Sequence, residues 1–285
     1  MSIRFLVLGA SGMLGNACLR ALGRSEDLVL GTVRSASAID LLPEATRENI
    51  LVGVDAGDFD SVIGAFAQAR PDVIVNCIGL VKQLGAAKDP LAALPLNALF
   101  PHRVHRLARA AGARLIHVST DCVFSGDSGG YGEDDRPDAD DLYGVSKRLG
   151  EVTGPGAITL RTSIIGHELG SSRSLVDWFL SQEGAVDGYT RAIFSGLPTI
   201  ELANIIRDHV VPRPEMTGLY HVSSDPIDKF HLLRLVAAEY GKAIEIRPSD
   251  SLRIDRSLDS TRFRTATGYA PPSWPELVRR MHVFG

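Results

Sequence analysis

Arg4-Phe5-Leu6-Val7-Leu8-Gly9-Ala10-Ser11-Gly12-Met13-Leu14-Gly15 places three glycines, each separated by two residues, directly after a short apolar run and directly before a helical pattern. The run from Phe5 to Leu8 lacks polar alternation, as a parallel strand covered on both faces should. A glycine loop between such a strand and a helix is where a dinucleotide-binding fold receives a pyrophosphate. Glycine permits the tight turn and lets backbone N–H groups approach phosphate oxygens, and the helix N-terminus adds favourable dipole charge. The position of the loop carries more weight than its glycines, which alone would also make a plain turn.

The same rhythm continues outward. Strands are predicted at residues 4–8, 28–33, 50–54, 73–77, 115–119 and 158–161, and helices at 13–22, 59–69, 95–111 and 143–152. Alternating strands and helices of this kind build an α/β fold, a Rossmann-type doubly wound parallel sheet. Residues 125–141 turn polar and glycine-rich and read as a long surface loop. Beyond Arg161 the pattern loosens into helices near 175–181, 201–209, 229–240 and 274–281, a Gly/Pro-punctuated stretch up to Thr199 and a strand at 218–223. The expected organisation is a nucleotide-binding domain of residues 1–162 plus about 195–224, and a smaller, discontinuous C-terminal substrate lobe of about 163–194 and 225–285.

The composition, 285 residues with 45% hydrophobic and 22% charged, suits a globular chain with a large core. A net charge of −4 gives no electrostatic footprint for nucleic acid, so no nucleic-acid partner is expected. Cys18, Cys77 and Cys122 are odd in number and match no zinc spacing, and His102 and His105 make no convincing ligand pair. The acidic residues of the 125–141 loop read as solvated, so no metal is expected. No apolar run approaches the roughly 20 residues of a membrane helix, and the N-terminus enters its first strand too soon for a signal peptide. The expected location is cytoplasmic, with no membrane association.

Three groups of residues carry chemistry. The second strand ends in Arg34, about 20 residues past the glycine loop, where NAD binders place an acid and NADP binders a cation for the 2′-phosphate. A guanidinium grips phosphate through paired hydrogen bonds, so NADP(H) is favoured. Tyr143-Gly144-Val145-Ser146-Lys147 opens a predicted helix, which puts Tyr143 and Lys147 on one face. A neighbouring ammonium stabilises phenolate and makes the tyrosine a usable proton donor. Ser119-Thr120-Asp121 closes a strand at the carboxyl edge of the sheet, where open α/β folds bind ligands.

These motifs, together with Asn76-Cys77-Ile78-Gly79, Cys122-Val123-Phe124-Ser125-Gly126, Leu160 to Gly166 and Ser195-Gly196-Leu197-Pro198-Thr199, resemble an extended short-chain dehydrogenase/reductase of the dTDP-4-dehydrorhamnose reductase group. The resemblance implies Tyr143 as proton donor, Lys147 as its tuner and ribose ligand, and Thr120 as partner of the substrate oxygen. It implies a cofactor site of Gly9, Ser11, Gly12, Met13, Leu14, Gly15, Arg34, Asp55, Cys77, Ile78, Gly79, Asn97, Ser119, Tyr143 and Lys147. Substrate contacts are expected from Lys82, Thr120, Asp121, Cys122, Tyr143, Arg161, Thr162 and Ser195, with Val81 and Gln83 facing the ligand beside Lys82.

Two departures bear on the substrate. Many reductases of the group carry Tyr where this chain has Cys122, and sugar-nucleotide dehydratases of the superfamily carry a glutamate base there. A neutral thiol replaces neither, so dehydration is disfavoured and the sugar stays open. The implied reaction is NADPH-dependent reduction of the 4-keto group of a UDP- or dTDP-linked 6-deoxyhexose for surface polysaccharide. Two alternatives stand beside it: a sugar-nucleotide epimerase with tightly bound NAD, and a non-catalytic NADP-binding regulatory subunit. A homodimer fits the family, and no single sequence stripe marks its interface.

Overall fold

The computed structural model describes residues 2–82 and 85–285. In chain order its strands are β1 Arg4–Leu8, β2 Leu28–Val33, β3 Ile50–Val52, β4 Val73–Asn76, β5 Arg114–Thr120, β6 Ala157–Thr162, β7 Ile164–Ile165, β8 Ala185–Phe194, β9 Leu197–Pro198, β10 Gly218–His221, β11 Ile227–Asp228 and β12 Glu245–Asp255. Its α-helices are α1 Met13–Ala21, α2 Phe59–Ala69, α3 Pro90–Ala93, α4 Phe100–Ala110, α5 Leu142–Leu149, α6 Leu175–Ser181, α7 Thr199–Ile205, α8 Lys229–Glu239, α9 Thr261–Thr267 and α10 Trp274–Phe284. Among the described residues no helix is long and apolar enough to cross a membrane.

A seven-stranded sheet of order β10-β6-β5-β4-β1-β2-β3 forms the centre of the fold, and the α/β expectation holds. Pairs β1–β2, β2–β3, β1–β4 and β4–β5 are parallel. Chain order runs outward from β1 in both directions, so the topological switch lies between β1 and β4. The loops at Gly9 and Cys77 leave the carboxyl ends of these two strands, where such a crevice binds ligands.

The chain divides into two compact units. The first holds Met1–Ser119, Asp140–Leu160 and Ala203–Leu219, and the second holds Thr120–Ala139, Arg161–Leu202 and Tyr220–Gly285. In the first, alternate strand residues serve opposite faces. Leu6, Leu8, Ile74 and Leu115 pack with Val62, Phe66, Phe100 and Val104 of α2 and α4. Phe5, Val7, Val75 and Ile116, on the other face, are equally buried.

In the second unit β8 pairs parallel with β12 and antiparallel with β11. The polar loop expected to lie on the surface is stitched into this unit. Asp255 donates its N–H to the Gly126 carbonyl (2.7 Å), Tyr131 to that of Ser257 (2.9 Å) and Asp259 to that of Tyr131 (2.7 Å). Beneath these bonds Phe124 stacks on Tyr131 with centroids 4.2 Å apart, in a cluster with Val123 and Leu258.

Phe124 is fully buried in that cluster. Phe124→Ala should therefore cost about 3–5 kcal/mol of stability. Urea denaturation of variant and wild type checks the value through the shift in midpoint.

Candidate active site

The glycine loop is built by contacts that only glycine permits. Gly9 has φ +84°, and its N–H donates to Thr32 Oγ1 (3.1 Å) while that of Ala10 donates to the Thr32 carbonyl (2.9 Å). A Cβ on Gly15 would lie 2.0 Å from the Gly9 carbonyl oxygen, which no side chain survives. Gly12 is the N-cap of α1 and no side chain caps the helix. The first-turn N–H groups around Ser11, Met13 and Leu14 thus point toward an anion site without a competing side chain, a cradle that fits a pyrophosphate.

The remaining nucleotide-binding candidates flank this loop in the sheet. Arg34 is exposed in the bend after β2. Asp55 follows β3, half-buried, with Oδ1 accepting the Gly57 N–H (2.8 Å). Cys77 and Ile78 are half-buried after β4, and the Ile78 N–H donates to Asn76 Oδ1 (3.1 Å). Gly79 is exposed; a Cβ there would lie 3.8 Å from Lys147 Nζ and 3.3 Å from Asn97 Oδ1.

Helix α5 carries Tyr143 and Lys147 on one face, the tyrosine half-buried and the lysine 7% exposed. Asp141 caps the helix, its Oδ1 accepting the Gly144 N–H (2.9 Å). Its Oδ2 receives the Lys82 ammonium (2.8 Å). Lys82 is therefore engaged by the helix that bears the tyrosine, and Gln83 lies outside the described residues. Lys147 Nζ donates to the Val118 carbonyl (2.9 Å). Burial pulls its pKa from 10.5 down to about 8, against the raising influence of Glu151 and Cys77. Ser119 Oγ donates to Glu151 Oε1 (2.8 Å), so the expected cofactor residue Ser119 spends its hydroxyl on that carboxylate.

Asn97 is 1% exposed, and its amide is committed to protein groups. Oδ1 accepts the Leu80 N–H (2.8 Å), and Nδ2 donates to the Leu80 carbonyl and to Ser146 Oγ (both 3.2 Å). Ser146 Oγ in turn donates to the Tyr143 carbonyl (2.9 Å). Asn97 thus fastens the loop after β4 to α5. Below it His117 is buried and held neutral by burial first and by the Lys147 charge second.

In the second unit Thr120 Oγ1 accepts the Cys122 N–H (3.1 Å) and donates to Asp121 Oδ1 (3.2 Å). Burial pushes the Asp121 carboxyl up, while Arg256, Cys122, Thr120 and Lys229 pull it down. Arg161, Thr162 and Ser195 are buried and bonded within this unit. The Arg161 guanidinium donates to His221 Nε2 (3.2 Å), Thr162 Oγ1 donates to the Ser163 carbonyl (3.2 Å), and Ser195 Oγ accepts the Leu258 N–H (3.0 Å). Burial and the Arg161 charge hold His221 near pKa 4, so it stays neutral and accepts that bond. Lys229, whose Nζ lies 4.0 Å from the Phe194 ring centroid and whose pKa burial draws down to about 8, has no counterpart among the sequence-derived candidates. Only the pairing of β11 with β8 brings it there, and no spacing signals that pairing.

The family described as RmlD substrate binding domain matches residues 3–282. Over 311 aligned residues the chain is 34% identical to a probable dTDP-4,6-dihydroxy-2-methyloxan-3-one 4-ketoreductase of Streptomyces antibioticus, covering 97% of this chain and 94% of that one. It is 30% identical over 248 residues to methionine adenosyltransferase 2 subunit beta of Danio rerio, covering 82% and 73%. A crystal structure of dTDP-4-dehydrorhamnose reductase from Bacillus anthracis, in complex with NADP, matches all of both chains with a TM-score of 0.82 and 22% identity. At that identity the match speaks for the fold.

The Lys147 shift has a measurable sign. Between pH 8 and 10.5 the unfolded chain retains a lysine proton that the folded chain has released, so this group adds stability as pH rises through that window and none of that gain below it. In Lys147→Met the contribution disappears. Thermal melts between pH 7.5 and 10 should show a more negative slope of Tm against pH in the variant.

Proposed function

The chain belongs to the RmlD substrate-binding domain family, and on that premise we propose that it reduces the 4-keto group of a UDP- or dTDP-linked 6-deoxyhexose at the expense of NADPH. The observation that carries this reading is the Tyr143–Lys147 pair on α5, with the lysine buried and its pKa brought to about 8. A retired site has no physical reason to keep an ammonium out of water.

The glycine cradle at Gly9, Gly12 and Gly15 fits the pyrophosphate, and Arg34 is the group for a 2′-phosphate. Asp55 and the segment Cys77 to Gly79 would line the rest. NADPH, when bound, supplies the hydride. Tyr143 holds the proton at its hydroxyl and delivers it to the carbonyl oxygen, so hydride and proton together turn C=O into CH–OH. The Lys147 ammonium stabilises the phenolate left behind. The Thr120 hydroxyl, which here donates its one proton to Asp121 Oδ1, would turn that proton to the same oxygen, a bond that strengthens as negative charge develops there. Cys122 offers no carboxylate base for a proton at the sugar ring, which sets this reading apart from dehydration.

The likeness to a methionine adenosyltransferase subunit is the observation behind a second reading, a cofactor-binding regulatory partner. Turnover separates the two. Purified protein is given NADPH, and NADH in parallel, with a panel of dTDP- and UDP-linked 4-keto-6-deoxy sugars. The reductase reading expects rapid oxidation of NADPH with at least one member; tight NADPH binding with no oxidation across the panel would favour the regulatory partner.

A further inference from the structure

Neither the Cys18 nor the Cys77 thiol has a part in the mechanism above, yet the first unit sets the two side by side. Cys77 follows β4, and its N–H donates to the Leu8 carbonyl (3.1 Å), which carries the β1–β4 ladder one residue further. Side chains alternate along a strand, so Cys77 falls on the face of Val73 and Val75. Gly31 and Val7 share that face by register. Helix α1 covers it: Leu19 Cδ1 lies 3.0 Å from the would-be Cβ of Gly31, and Gly15 lies against the Gly9 carbonyl at the end of β1. Leu19 and Cys18 stand on opposite sides of Gly15 around the helix, about 40° and 60° away. Since β1 lies between β2 and β4 and Leu19 leans toward β2, Cys18 turns toward β4.

The two thiols share a hydrogen bond, which together with burial keeps Cys18 protonated. Both cysteines are free, Cys18 fully buried and Cys77 half-buried, so of the pair Cys77 is the one that meets solvent. The next residue, Ile78, packs on the glycine loop, its Cγ1 2.9 Å from the would-be Cβ of Gly9. A displacement at Cys77 is thereby passed to the pyrophosphate cradle.

We propose that Cys18 and Cys77 form a reversible disulfide in the presence of a peroxide, and that this bond weakens cofactor binding. The Cys77 sulfur attacks a peroxide oxygen; an S–O bond forms, the O–O bond breaks and one water leaves. The Cys18 sulfur then attacks the sulfenic sulfur; the S–S bond forms, the S–O bond breaks, and the hydroxyl departs with the Cys18 proton as a second water. Two thiols give up two electrons, and the peroxide takes them. Disulfide sulfurs stand about 2.0 Å apart, closer than any contact between thiols, so the bond draws the segment after β4 toward α1 and disturbs Ile78 against Gly9. By linkage, bound cofactor opposes the bond by the same factor by which the bond weakens the cofactor. The inference rests on the dinucleotide reading of the cradle and is independent of the sugar.

The test treats purified protein with hydrogen peroxide, maps its peptides without reductant by mass spectrometry, and reads NADPH affinity by fluorescence. The expected product is a peptide pair joined through Cys18 and Cys77, with NADPH held about 5–150-fold more weakly. Dithiothreitol reverses both changes. In a glutathione redox buffer, saturating NADP+ lowers the cross-linked fraction. Reduced Cys18→Ala binds NADPH as wild type does and keeps that affinity after peroxide; if this variant fails to fold, the wild-type map and its reversal still decide. A pair left unlinked by peroxide, a linked pair with unchanged NADPH affinity, or an equal loss of affinity in Cys18→Ala would overturn the proposal. Reduced wild type that binds no dinucleotide would sink the cofactor reading and the switch with it, and the peptide map tells that result apart from thiols that do not join.

Discussion

The Lys147 ammonium, buried and donating to the Val118 carbonyl, ties the helix that carries Tyr143 to the strand that ends in Thr120. A charge this deep is costly unless it is bonded. Around it the protein spends further polar groups on the same end. Asp141 caps α5 and binds Lys82, Ser146 bonds the Tyr143 carbonyl, and Asn97 joins Ser146 to the loop after β4. The tyrosine backbone is thereby fixed from several directions while its ring stays half-exposed. Rigid support under a group that must meet a ligand is the arrangement that proton transfer requires.

The glycine loop answers a different constraint. Its conformation is set by backbone crowding: the Gly15 position lies against the Gly9 carbonyl, and Thr32 on the neighbouring strand receives the loop through both side chain and main chain. The uncapped start of α1 then offers N–H groups where the β1–β4 switch opens its crevice. Sheet order and loop chemistry therefore converge on the same edge.

What the sequence made legible follows from short-range physics. The strands of the main sheet are continuous apolar runs, so all six predicted in the first half appear with ends displaced by no more than two residues. The Tyr143 helix and the glycine loop carry local signals and stand where expected. Strand β8 was hidden because Gly188 interrupts its apolar face, and that glycine is needed where Phe230 approaches within 2.8 Å of its would-be Cβ. Strand β12 is largely exposed, contains Pro248 and shifts register between Ser249 and Arg253, so it shows little alternation. The loop from Ser125 is largely exposed, as its polar composition indicates, but its anchors are backbone bonds, which composition does not reveal. The same limit applies to the site: Thr120, Tyr143 and Lys147 lie in motifs, whereas the engagement of Lys82 by Asp141, the bonding of Arg161 to His221 and the placement of Lys229 depend on partners distant in sequence.

The central claim is that Tyr143 delivers the proton and that the surrounding network exists to hold it. Single-turnover oxidation of NADPH, followed by fluorescence with the keto sugar that wild type accepts, tests it most directly in Tyr143→Phe. The account predicts that the chemical step falls by about 10²–10⁴-fold while the Kd for NADPH is unchanged. A variant that oxidises NADPH at the wild-type rate would contradict it.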